Sequence, residues 1–130
     1  MSSELMFLAW TLVLALVQIL LTAQMRTLEV GTRYMPGPRD VPSPVPVGIV
    51  TGRLARAQKN LFETLPIFIG AVLATQIAGI HNSFTYWGAL LYFAARVIYV
   101  PLYAFGISYL RTLVWLVGLT GIILLLVSLM

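Results

Sequence analysis

Arg53, Arg56, Asn60 and Glu63 put two cations, an amide and a carboxylate at spacings that a helix gathers onto one face. At 100° per residue their directions fall within an arc of roughly 80°. Such a set can hold an anionic or zwitterionic ligand. Guanidinium groups donate paired hydrogen bonds to carboxylates, and a carboxylate receives an ammonium. Leu65–Ile80 follows directly, a run without Asp, Glu, Lys or Arg. Ionisable groups at the edge of such a run are costly in hydrocarbon, so they face a partner or a water-filled site.

A second polar face comes from Tyr92, Arg96, Tyr99 and Tyr103, whose directions fall within about 60°. Phenols pack their rings while donating hydrogen bonds. Arg96 must find a carboxylate or a group of carbonyls. Glu63 is the acid expected at comparable depth, so it is expected within reach of Arg96 or Arg56. Plainer roles exist for each residue alone. An Arg/Glu pair can knit helices together, a Tyr stripe can be packing, and Arg53 and Lys59 can extend to lipid headgroups. His81 reads as a solvated turn residue. The case for a polar pocket is that both faces open to one side, where Arg111 opens too.

The elements that carry these residues are membrane helices. Of 130 residues, 60% are hydrophobic and 9% charged, against about a quarter charged in soluble domains. The charges are also clustered, leaving long apolar runs. The reading is an all-α integral membrane four-helix bundle, a single domain over residues 1–130. Spans are expected at about 5–25, 51–79, 84–105 and 110–130, with a loop over about 26–50. Pro36, Gly37, Pro38, Pro42, Pro44 and Pro46 deny that loop regular helix. Pro66 and Pro101 predict bends. Short connections make helices two, three and four neighbours in an up-down topology.

Arg26, Arg33, Arg39, Arg53, Arg56 and Lys59 flank the first connection, and Arg111 flanks the third. The positive-inside rule then makes both connections cytoplasmic and both termini outside. The first apolar run is long for a secretory signal, and Glu4 stands where a basic n-region would be, so it is expected to be a retained span. Ile67, Ala71, Ala74, Thr75 and Ala78 continue the second helix's face with mostly small residues that let helices approach closely. Four short helices offer little interior, which favours a homo-oligomer.

Several functions are excluded or disfavoured. The chain has no Cys, so disulfides, a protein thiolate nucleophile and thiolate metal sites are out. With His81 the single histidine, no metal is expected. The net charge is +4, but no basic stripe or stacking platform suits nucleic acid. A small transporter would want an acid deep within a span. The first helix offers only Gln18, and Glu63 is crowded by cations.

Arg53-Leu-Ala-Arg56-Ala-Gln58-Lys59-Asn60-Leu-Phe-Glu63-Thr-Leu-Pro66 resembles the signature of the MAPEG family, the membrane-associated proteins in eicosanoid and glutathione metabolism. The likeness extends to Ala95-Arg96-Val-Ile-Tyr99-Val-Pro-Leu-Tyr103 and to Arg111 at the head of the fourth helix. It is nearest the short bacterial members, which implies the bacterial inner membrane. The resemblance implies a homotrimer binding glutathione between adjacent subunits on the cytoplasmic side. It implies that Arg56, Asn60 and Glu63 hold the tripeptide's charged and amide groups, that Tyr99 and Tyr103 contact it, and that Arg111 holds the sulfur as thiolate. Gln58 matches a position that reaches glutathione from the neighbouring subunit, and it points about 140° from Arg53. Arg26 is the candidate for a second cross-subunit contact, with Arg33 as the alternative. Arg96 joins Arg56 and Arg111 as a cation for the anionic ligand, and Thr112 can donate to the sulfur. The expected activity is a glutathione transferase or peroxidase acting on hydrophobic electrophiles or lipid hydroperoxides. The alternative is a non-catalytic lipid-binding or scaffold member of the same fold.

Overall fold

In the computed structural model, four helices are present: α1 (Ser3–Val30), α2 (Ile49–Ala78), α3 (Ser83–Ala104) and α4 (Ser108–Leu129). The structure describes residues 1–31 and 45–130. Arg33, Arg39 and the proline-rich stretch from Pro36 to Pro44 lie outside the described residues. All four helices are long and apolar enough to cross a bilayer.

Local chemistry sets most of the helix ends. The Ser2 hydroxyl accepts from the Leu5 amide and starts α1. Asn82 and Thr85 form a reciprocal capping box that starts α3. Gly79 closes α2 with φ +71°, a conformation that strains residues bearing a Cβ. The start of α2 is different, because Gly48 offers no side chain to cap it. Glu29 does this from α1, accepting from the Gly48 amide and, at 2.7 Å, from the Thr51 hydroxyl. Arg26 pairs with the same carboxylate at 2.9 Å and also donates to the carbonyls of Val45 and Pro46.

That cap explains the main departure from the expected boundaries. α1 was expected to end near residue 25, but it continues to Val30. The Arg26–Glu29 pair, one helical turn apart, and the bonds from Glu29 to α2 hold its last turn. Gly31, at φ +93°, then ends it. Helices α2 and α3 run through Pro66 and Pro101 without interruption.

The packing is uneven. α3 and α4 share the most extensive interface, while α1 meets α2 and α3 but has no close backbone approach to α4 among the described residues. Gly88 and Gly121 make the α3–α4 approach possible. A Cβ on Gly88 would stand 2.6 Å from the Gly121 carbonyl oxygen, and one on Gly121 would stand 2.5 Å from that of Gly88. Small residues allow this closeness where no hydrophobic force drives helices together in lipid. Between α2 and α3 the core centres on Phe68 and Tyr92, stacked at 4.1 Å between centroids and fully buried. Such a pair adds about 0.5–1.5 kcal/mol beyond its buried area.

The end of the bundle near the α2–α3 turn has a polar knot of its own. Glu4 is buried at 4% exposure. It accepts from the Thr85 hydroxyl at 2.7 Å and lies 3.6 Å from Nδ1 of His81, which is half-exposed. Ser2 donates to Gln76 across the same end.

Candidate functional site

The other end of the bundle opens into a cavity of about 410 Å³, within the range of roughly 300–1,000 Å³ typical of small-molecule sites. α2 contributes Arg56, Lys59, Asn60 and Glu63 to its wall. α3 contributes Tyr99 and Tyr103, and α4 contributes Arg111, Thr112 and Trp115. The three helices therefore bring together five of the residues singled out in the two polar faces, with Arg111 beside them.

The cations divide into two groups. Arg56 and Arg111 have no ion-pair or hydrogen-bond partner among the described residues. Their guanidinium groups converge on one ring, that of Tyr103, at 5.9 Å and 4.4 Å from its centroid. Facing a π surface offsets part of the cost of holding like charges together. It leaves their hydrogen-bond donors available to an anion. Glu63 lines the same cavity and is solvent-exposed.

Arg96 and Arg53 belong to the second group. Arg96 is 2% exposed, donates from Nη1 to Oδ1 of Asn60 at 2.9 Å, and lies 4.3 Å from the Tyr99 ring centroid. It stands behind the cavity wall, not in it, and supports two residues that do line it. Arg53 donates to the Ala104 carbonyl at 3.2 Å.

The expected pairing of Glu63 with Arg96 or Arg56 does not form. Among the described residues Glu63 takes part in no ion pair. The physical reason is its surroundings. An exposed carboxylate at a cavity keeps its hydration, whereas the buried guanidinium is met on α2 by the side-chain oxygen of Asn60 at 2.9 Å. Because arginine has only donors, the Asn60 atom that faces it must be the carbonyl oxygen, which leaves the Nδ2 amide NH2 as a donor.

Tyr92 also leaves the expected group. It is 1% exposed, and its hydroxyl shares a hydrogen bond with that of Thr64 at 2.8 Å. Gln58 is partly buried and does not line the cavity, and Arg26 is engaged at the α1–α2 junction. Lys59 and Trp115 were not among the expected site residues. Lys59 lies about 40° beyond the edge of the polar arc, yet it is exposed and lines the cavity. Trp115 sits four residues after Arg111, a spacing that places both on one face of α4.

A model of the MAPEG family matches residues 7–130, nearly the whole chain. The chain belongs to the MAPEG family. Searches among curated proteins and among solved structures returned no match. Membership makes this an integral membrane protein with a family-level role in glutathione and eicosanoid metabolism. In this MAPEG chain the signature residues Arg56, Asn60 and Glu63 stand on one cavity wall, with Tyr99, Tyr103 and Arg111 on the others.

Proposed function

We propose that the cavity holds glutathione as its thiolate, and that the chain is a glutathione-dependent transferase or peroxidase acting on hydrophobic electrophiles or lipid hydroperoxides. The observation that carries this reading is the pair Arg56 and Arg111, unpaired among the described residues and converging on Tyr103 at a water-accessible cavity. Glutathione is a net anion with two carboxylates, an ammonium and a thiol. Arg56 and Lys59 suit the carboxylates, Glu63 suits the ammonium, and the free Nδ2 of Asn60 suits a carbonyl. Arg111 is assigned to the sulfur, with Thr112 as an additional donor. Neighbouring cations lower a thiol's pKa from about 8.5 and raise the thiolate fraction at neutral pH. In conjugation the sulfur lone pair forms the S–C bond while the leaving group departs with its electrons, so no protein nucleophile is required.

The assembly we propose is a homotrimer with up-down helices, both termini outside and the cavity on the cytoplasmic side. Gln58 and Arg26, or Arg33, would then reach the ligand from the adjacent subunit. The reading is supported by the lipid-facing character of the helices. In each apolar window 39% or less of the residues are buried within one chain, which leaves ample surface for a second copy.

Titrating the purified protein with glutathione and following thiolate absorbance in the ultraviolet tests the reading. Saturable binding with a thiolate band that Arg111→Ala abolishes is the expected result. Binding without a thiolate band would favour the non-catalytic member of the fold, and no binding to a well-folded assembly would overturn the proposal.

A further inference from the structure

Arg53 is one turn before Arg56 but does not line the cavity. Its guanidinium reaches the turn between α3 and α4 instead. The last carbonyls of α3 need partners, since a helix end leaves them unsatisfied. The Ile107 amide takes the Leu102 carbonyl at 3.0 Å, and the Gly106 amide takes that of Tyr103 at 3.1 Å. The carbonyl of Ala104 is taken by Nη1 of Arg53 at 3.2 Å. The same guanidinium packs against Gly106, where a Cβ would stand 2.9 Å from Cζ and Nη2. A cation at this helix end also suits the negative pole of the helix dipole.

This turn separates Tyr103 from Arg111, whose guanidinium lies 4.4 Å from the Tyr103 ring centroid. We infer that Arg53 is a positioning residue, which pins the α3–α4 turn to the first turns of α2 and so fixes Arg111 against Tyr103. The functional part of this inference rests on the assignment of Arg111 to the glutathione sulfur. The structural part does not.

Arg53→Leu and Arg53→Lys separate the possibilities in the full-length protein. Without ligand, hydrogen exchange at residues 105–111 should speed up in Arg53→Leu while α1 is unchanged. Arg53→Lys should restore protection, because an ammonium also donates to a C-terminal carbonyl. With glutathione at saturation, Arg53→Leu should show about three- to tenfold less thiolate near neutral pH, as the thiol midpoint returns toward its free value of roughly 8.5. A positional defect keeps its size between about 0.05 M and about 0.5 M salt, whereas a loss of distant charge is screened away. Unchanged exchange in Arg53→Leu, or a thiolate deficit that disappears at high salt, overturns the inference. If the wild-type protein binds no glutathione, the proposed function falls, and the exchange measurement still decides whether Arg53 holds the turn.

Discussion

Asn60 joins Arg96 across the α2–α3 interface at 2.9 Å through its carbonyl oxygen, and in doing so leaves its amide NH2 group as the remaining donor. One residue of the signature thus faces both the bundle interior and the cavity. Asn60→Leu removes the only hydrogen-bond acceptor found for the Arg96 side chain among the described residues, and a hydrogen bond to a charged group contributes about 1.5–3 kcal/mol. The variant should melt well below the wild type in detergent, while Asn60→Asp, which keeps the acceptor, should recover most of the loss. Equal melting of Asn60→Leu and wild type would show that Arg96 finds another partner.

The α3–α4 crossing gives a comparison between glycines. Gly121→Ala brings a methyl to 2.5 Å from the Gly88 carbonyl oxygen and 2.9 Å from the Tyr92 amide nitrogen. Overpacking of this kind costs about 1–3 kcal/mol. Gly70→Ala meets nothing within 4 Å and should be neutral or stabilising by up to about 1 kcal/mol. Thermal denaturation should show a lower midpoint for Gly121→Ala and an unchanged or higher one for Gly70→Ala. A Gly121→Ala variant as stable as wild type would mean that the helices separate easily.

At the opposite end, the Thr85 hydroxyl is the donor within 2.7 Å of the buried Glu4 carboxylate. Thr85→Val keeps the shape but removes both that donor and the hydroxyl that accepts from the Asn82 amide in the capping box, which together should cost about 1–3 kcal/mol. His81→Ala acts on a half-exposed ring 3.6 Å from the same carboxylate and should change stability by less than about 1 kcal/mol. Chemical unfolding of both variants checks the ranking, and a larger loss for His81→Ala reverses the assignment.

Glu29 offers a test of the cap supplied from α1. Glu29→Ala removes the acceptor used by the Gly48 amide and the Thr51 hydroxyl. Amide exchange over residues 48–52 should accelerate, with the middle of α2 unaffected. Gly48→Ala should do the same, since its methyl would collide with the Glu29 carboxylate. Protection that survives both changes would rule out this cap.

Lys59 separates charge from contact in ligand binding. The residue lines the cavity and has no ion-pair partner among the described residues. On the proposed function, Lys59→Ala should weaken glutathione binding about three- to tenfold at low salt, and the difference from wild type should shrink as salt shortens the Debye length. Calorimetric titration at two ionic strengths reads this directly. An affinity indifferent to the substitution at both would remove Lys59 from the site.

The four helices were legible because each presents a long apolar run broken by glycine, proline or charge. The ends of α1 and α2 were less so. Their boundary depends on Glu29 reaching a segment nineteen residues further on, and no local pattern encodes that contact. Angular arithmetic grouped Arg56, Asn60, Glu63, Tyr99 and Tyr103 on the two helix faces that line the cavity. It could not give depth across an interface, so it matched Arg96 with the formal charge of Glu63 and passed over the amide one turn earlier. Tyr92 shared a direction with its fellow tyrosines but lies too deep to reach the opening. Trp115 could have been found from its spacing to Arg111.

Arg53 to Ala104, Asn60 to Arg96 and Thr64 to Tyr92 tie α2 to α3 at successive levels. They are rungs set by a shared register. Adding or deleting one residue between Arg53 and Thr64 would turn part of α2 by about 100° and misalign several rungs together. This half of the helix is therefore constrained in its length as well as in the side chains that form the rungs.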